Sequence, residues 1–340
     1  MIITQTPFRM SFFGGGTDME SFFLKHGGAV LSTTFDKYCY VNVRHLPRFF
    51  DYSTELSYSR TERVTDIEEI EHPAIRNAMK MLDMQEIRLT YEADLPARSG
   101  LGTSSSFAVG MLNAFYALKG KYADKKKLAD EAIYLERELC QEAGGWQDQI
   151  AASYGGFNRI NFNKDGTYDV LPIIISPERK KQLNTNLLMF FTGFTRFSSD
   201  VQKANAATKE TQEAKEKRLL EMLELVDQAE HVLVDKETDL DDFGRLLDHT
   251  WKLKRQIGSA VSTNSIDALY DKGMQAGALG GKLLGAGGGG FLVFYVQPAY
   301  QEAVKEAMKD LMYIPFTFED GGTKVIHYTP ETYIPQEEIR

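Results

Sequence analysis

Residues 95–110 read LPARSGLGTSSSFAVG. Before them Leu89, Tyr91, Ala93 and Leu95 alternate with polar residues, the two-residue period of a strand. Pro96 breaks that run. After them Phe107, Met111, Phe115 and Leu118 fall on one face of a helix. Between lie Gly100 and Gly102, flanking Leu101, and an unbroken hydroxyl run, Thr103, Ser104, Ser105 and Ser106. The segment therefore reads strand, glycine turn, hydroxyl cluster, helix.

Such a junction suits an anion. The first turn of a helix has amides without intrahelical acceptors and carries the positive end of the macrodipole. Glycine lets the backbone approach a ligand closely. A Ser or Thr there can also be an ordinary N-cap. Four consecutive hydroxyls exceed what a cap needs, which favours a cradle for a polyphosphate. The GxxxxGK[ST] loop is absent from the chain, and no GxGxxG follows a strand here, so a bound nucleotide implies another fold.

The 340 residues, 43% hydrophobic and 26% charged, have ordinary globular composition and length for two domains. A net charge of −9 argues against a broad nucleic-acid surface, which needs clustered Lys and Arg. It leaves room for a small phosphorylated ligand in a local positive pocket. Two cysteines, Cys39 and Cys140, fit a reducing compartment. The N-terminus lacks the pattern of a signal peptide and no apolar run is long enough to span a bilayer. A cytoplasmic protein without membrane or nucleic-acid partners is expected.

Further signals lie on either side. Residues 2–13 predict a first strand, with Pro7 at an edge or bend, followed by FFGGGTD and a short helix over 19–25. Asp18 closes that motif, as a helix N-cap or as a ligand-binding group. Residues 29–44 predict one or two strands, 73–82 a helix and 124–140 another with Asp124 as N-cap. Glu136 on that helix faces solvent or holds a cation. Trp146, Gln147, Asp148 and Gln149 sit between two glycine pairs, grouping amide and acid side chains as a site would; a capping Asp is the alternative. Asp165-Gly166 marks a hairpin turn. Residues 191–199, FTGFTRFSS, place Arg196 on a loop at a strand end, where it can meet a sugar or a phosphate. Charged helical sequence follows over 199–236, with further helices over 240–256, 266–277 and 299–312. Seven of the eleven residues from Gly280 to Gly290 are glycine, ahead of a strand from Phe291; that loop can lie against a ligand or another backbone. A last strand is expected over 324–328.

Taken in order, PFRMSFFGGGTD, LPARSGLGTSSSFAVG and KLLGAGGGGFLVF resemble the three motifs of the GHMP kinase superfamily, over nearly the whole chain. The resemblance implies an α+β fold of two domains. Residues 1–180 would form an ATP-binding domain resembling ribosomal S5 domain 2, and residues 181–340 a ferredoxin-like domain. GGGTD with WQDQ and TGFTR looks like the sugar-1-kinase branch, most similar to D-glycero-D-manno-heptose 7-phosphate kinases, with fucose kinases related. Galactokinases carry GEHTD in place of GGGTD, so their sugar contacts do not all transfer.

The implied activity is ATP-dependent phosphorylation of the anomeric hydroxyl of a heptose 7-phosphate, supplying nucleotide-activated heptose synthesis. Fucose or another hexose as acceptor, or a non-catalytic sensor, are the alternatives. By resemblance, Pro96, Ser99, Gly100, Leu101, Gly102, Thr103, Ser104, Ser105 and Ser106 would bind ATP. Ser104 and Glu136 would hold Mg²⁺. Asp148 would take or orient the proton of the sugar hydroxyl, with Arg9 beside it stabilising charge on the reacting oxygens. Gly15, Gly16, Thr17, Asp18, Arg196, Gly287 and Gly288 would contact the sugar phosphate. A homodimer is compatible with this reading.

Overall fold

A computed structural model of the protein describes residues 1–46, 49–97, 99–193, 212–258 and 261–331. The first domain is laid down by β1 (Ile2–Phe13), α1 (Glu20–His26), β2 (Gly28–His45), β3 (Thr54–Ser57), β4 (Thr61–Val64), α2 (Pro73–Met81) and β5 (Ile87–Ala93). There follow α3 (Thr103–Leu118), α4 (Lys125–Tyr134), a π turn (Leu135–Leu139), α5 (Gln147–Tyr154), β6 (Phe157–Phe162) and β7 (Tyr168–Pro172). The second domain holds α6 (Pro177–Thr185), β8 (Leu187–Phe191), α7 (Gln212–Val234), α8 (Asp241–Arg255), α9 (Asn264–Gln275), β9 (Gly280–Leu283), β10 (Phe291–Tyr295), α10 (Gln301–Ala307) and β11 (Met312–Ile314). The chain ends its described path in β12 (Phe318–Glu319) and β13 (Lys324–Tyr328).

The first sheet runs β13-β1-β2-β5-β3-β4. Its long strand β2 pairs with β1 along one edge. The other edge takes β6 over Gly28 to Thr33, β12 over Thr34 and Phe35, and β5 over Cys39 to His45. One continuous strand therefore occupies the stretch where one or two were expected. Pro7 lies inside the sheet, and the β1–β2 register shifts between Pro7 and Phe8, where the proline has no N–H to give. β12 and β13 belong to this sheet, so residues 318–328, within the range expected for the second domain, complete the first.

The second sheet is antiparallel throughout, in the order β11-β8-β10-β9. With helices between β8 and β9 and between β10 and β11, that is the strand order of a ferredoxin-like unit. The last helix stops at Ala307, earlier than expected, and Met312 opens β11 instead.

One apolar core crosses between the domains. Phe8, Met10, Phe12 and Phe13 of β1 join Met189, Val226, Phe243, Leu247 and Tyr295 of the second domain. The Phe12 and Phe13 rings meet Phe243 edge-on at 5.3 and 5.1 Å. Arg9 and Ser11 alternate with Phe8, Met10 and Phe12 along the strand, so they leave that core for the face where α3 and α5 begin.

Candidate active site at the domain seam

The glycine turn is clamped onto β1. Arg9 donates its amide to the Leu101 carbonyl at 3.1 Å, and its Nη1 to the Gly100 carbonyl at 2.7 Å. Leu101 is fully buried between the two glycines. Gly102 is the N-cap of α3 in the left-handed region, φ +72°, and no side chain caps the helix. The bland capping role for the hydroxyls is thus unfilled, and the first-turn amides have no intrahelical acceptors.

The four hydroxyls have different fates. Ser106 donates to the Pro7 carbonyl at 2.9 Å and Ser105 to Glu136 Oε2 at 2.7 Å. Thr103 is buried and Ser104 is exposed. The hydroxyl bonded to Glu136 is therefore that of Ser105, next to Ser104, the residue that the resemblance implies for Mg²⁺. Ser99 is wholly buried, yet its Oγ has no hydrogen-bond partner, while Pro96 is exposed.

Glu136 is neither solvated nor on a regular helix. It sits in the π turn, a local widening often found at functional sites, and is 1% exposed. Gln149 Nε2 also donates to its Oε2, and Arg137 lies 3.8 Å from the same oxygen. All these contacts fall on Oε2 and leave Oε1 outside them.

Asp148 stands in the first turn of α5, where Arg9 Nε donates to its Oδ1 at 2.7 Å. Arg9 is 4% exposed, and the Asp148 side chain about a quarter exposed, so the pair is enclosed yet reachable. A Cβ at Gly102 would lie 3.3 Å from both Arg9 Cγ and Asp148 Cγ; the glycine lets the turn touch this pair.

Asp18 does not cap α1, whose N-cap is Met19. Its carboxylate accepts from the Gly16 amide at 2.9 Å and, more loosely, from the Gln147 amide at 3.3 Å. Burial pushes its pKa up, and the charge of Asp148 adds to that, against the two amides. Thr17 is spent inside, donating to the Gly14 and Ala29 carbonyls at 2.8 and 2.9 Å. Gly15 has room for a Cβ at ordinary contact distance, 3.7 Å from Gln147 Nε2 and 3.8 Å from Ser11 Oγ. Ser11 Oγ and Gln147 Oε1 are buried without hydrogen-bond partners. Unsatisfied polar atoms at this depth cost stability unless a ligand completes them.

The second domain closes the seam. A Cβ on Gly285, at φ +80°, would stand 2.3 Å from Gly100 Cα, and one on Gly290 2.1 Å from the Ser99 carbonyl oxygen. The third glycine loop thus lies backbone against backbone on the turn at Ser99 and Gly100. Gly287 and Gly288 pack on Val261, whose carbonyl accepts from the Gly288 amide at 3.0 Å. Lys282, 1% exposed, donates to the Phe12 carbonyl at 2.7 Å and holds the end of β1. Burial, with Lys254 and Arg9 nearby, pushes its amine far below the usual lysine range. Arg196 lies outside the described residues.

Sequence reasoning missed Ser11, the Ser105–Glu136 contact and Lys254. Lys254 is one of three basic residues in the last turn of α8, where the helix dipole alone would place them. Its position beside the site depends on how the second domain docks, which no local pattern carries.

Two family models match the chain: the GHMP kinases N terminal domain over residues 69–156 and the GHMP kinases C terminal domain over residues 225–314. The protein is a GHMP kinase. Membership makes it an ATP-dependent phosphotransferase acting on an alcohol group. Along its length it is 29% identical over 337 residues to D-glycero-alpha-D-manno-heptose 7-phosphate kinase of Campylobacter jejuni, covering 95% of this chain and 98% of the relative. It is 28% identical over 223 residues to the bifunctional fucokinase/GDP-fucose pyrophosphorylase of Arabidopsis thaliana, 64% of this chain but 20% of that much longer protein. In fold it is similar to the crystal structure of a D-glycero-D-manno-heptose 1-phosphate kinase from Bacteroides thetaiotaomicron, with a TM-score of 0.77 at 23% identity, covering 96% and 99% of the two chains. No helix among the described residues is long and apolar enough to cross a membrane.

Proposed function

We propose that this GHMP kinase phosphorylates the anomeric hydroxyl of D-glycero-D-manno-heptose 7-phosphate, giving the 1,7-bisphosphate for nucleotide-activated heptose synthesis. The observation that carries the chemistry is the 2.7 Å Arg9–Asp148 pair, set between the α3 N-terminus and the Gly15–Asp18 loop. The likeness to the Campylobacter enzyme along nearly the whole of both chains supports the choice of sugar.

The α3 amides, with the backbone of Gly100 and Gly102, receive the triphosphate. Among the described residues no cluster of three acidic, His or Cys side chains could cage a metal. One hydroxyl and one carboxylate do suit Mg²⁺, which keeps few protein ligands and takes the rest from phosphates and water. Ser104 and Glu136 would hold it, and the ion would neutralise phosphate charge. Asp148 accepts the proton of the sugar hydroxyl as that oxygen attacks the γ-phosphorus. Arg9 orients Asp148 and offsets charge on the reacting oxygens. Asp18, Ser11 and Gln147 take the sugar hydroxyls, which would satisfy Ser11 Oγ and Gln147 Oε1, otherwise left without partners.

The test is ATP consumption with heptose 7-phosphate beside fucose and other free hexoses, with the product read by NMR. Phosphorylation at the anomeric oxygen of the heptose, with kcat/KM well above that for each hexose, is expected. Preferred turnover of fucose would replace this sugar, and nucleotide binding without turnover of any sugar would make the protein a sensor.

A further inference from the structure

The last turn of α8 carries Lys252, Lys254 and Arg255. Lys252 pairs with Asp248 at 2.6 Å, and Arg255 with Asp267 at 2.9 Å. Lys254 has no carboxylate partner among the described residues. Its Nζ donates to the Gly285 carbonyl, one bond for three donors. Gly285 lies directly on Gly100, whose own carbonyl takes Arg9 Nη1. Two cations from two domains therefore hold glycine carbonyls on either side of one backbone contact. The charges of Arg9, Asp18 and Asp148 all act on Lys254, and that of Lys254 acts in turn on Lys282. The residue as a whole is half-buried.

We propose that Lys254 is a catalytic residue supplied by the second domain, contacting the γ-phosphoryl group as it passes to the acceptor hydroxyl. The proposal rests on the kinase reading above. In the step, the bond from phosphorus to the β,γ-bridging oxygen breaks and its electron pair leaves on ADP. The acceptor oxygen bonds to phosphorus and gives its proton to Asp148. Lys254 keeps its proton throughout and supplies charge to the equatorial oxygens. The competing role is a latch that only holds the glycine loop.

Burial pulls the Lys254 pKa down to about 8, with Arg9 adding to the fall and Asp18 and Asp148 opposing it. The protonated fraction, and kcat with it, falls as pH rises through that value.

The test uses the wild-type protein first. Lysines are acylated at pH 8 and mapped by mass spectrometry, without nucleotide, with MgATP and with MgADP. With MgATP at about ten times its Kd, acylation of Lys254 slows about tenfold by mass action, whereas MgADP leaves it close to the free rate. No protection, or equal protection by both nucleotides, overturns the proposal. In turnover with heptose 7-phosphate, Lys254→Met lowers kcat about 100-fold, the scale of one lost charge-stabilising donor, with nucleotide affinity little changed. Lys254→Arg keeps more activity and moves the alkaline fall to higher pH, since guanidinium stays charged. Wild-type kcat and pH profile in both variants leave only the latch. Shielding by MgATP in a protein that does not turn over the heptose upholds the role of Lys254 and removes the proposed sugar.

Discussion

The turn at residues 99–106 and the loop at residues 284–290 are both rich in glycine and lie against each other, yet glycine does different work in each. At Gly285 the missing Cβ is filled by the backbone of Gly100, 2.3 Å from where the atom would be. At Gly102 it faces the Arg9–Asp148 pair at 3.3 Å. The 284–290 loop is packing, and the 99–106 turn brings a helix N-terminus onto the Arg9–Asp148 pair. Glycine content therefore does not locate a ligand; what would meet the absent methyl group does.

The comparison is tested most severely at the carboxylate that the nucleotide turn abuts. Asp148→Asn should lower kcat by about 10³-fold, the range for a lost general base, while MgATP affinity stays within a few-fold. Steady-state kinetics with calorimetric nucleotide titration measures both, and a variant with wild-type turnover removes the reaction centre from this place.

The two glycines come next. Gly285→Ala forces a side chain into the left-handed region and onto backbone, so a loss of at least about 2 kcal/mol in stability is expected. Gly102→Ala meets side chains that can give way, and should lose kcat about tenfold or more with a stability cost nearer 1 kcal/mol. Thermal unfolding beside kinetics separates them; if both lose only stability, the distinction fails.

Smaller effects sharpen the ligand side. Ser104→Ala should raise the Mg²⁺ concentration for half-maximal rate several-fold. Ser105→Ala, which strips one hydrogen bond from buried Glu136, should cost about 1–2 kcal/mol of stability as well. A magnesium titration unchanged in Ser104→Ala counts against that residue as a ligand. Gly15→Ala adds a methyl at ordinary contact distance from Gln147 and Ser11, and should raise the sugar KM a few-fold with no change in thermal midpoint. A shifted midpoint with an unchanged KM would make that loop structural.

Local chemistry was legible where one residue decides the outcome. β1, the strand-to-helix junction at 95–118, the Asp124 cap and the turn through Gly166 follow from periodicity, hydroxyls and positive φ. The grouping of Trp146 to Gln149 between glycines left a capping Asp open as well as a site, and Asp148 lies against Arg9 at the candidate site. The π turn beneath Glu136 was not legible, since one extra residue per turn leaves the apolar stripe almost unaltered. Nor was the bond from Ser105 to Glu136, which depends on the rotation of α3 about its own axis. The two-domain plan came from resemblance; pairing between residues some three hundred positions apart has no short-range signature.

That pairing has a bearing on how the molecule is made. β13 supplies the outer neighbour of β1, so the first described strand waits for nearly the last described one before its edge is covered. The intervening ferredoxin-like unit is complete at Ile314, before β12 and β13 emerge. During synthesis the later-made body can assemble first, and the first domain matures last, closed by strands from the start and the finish of the described fold.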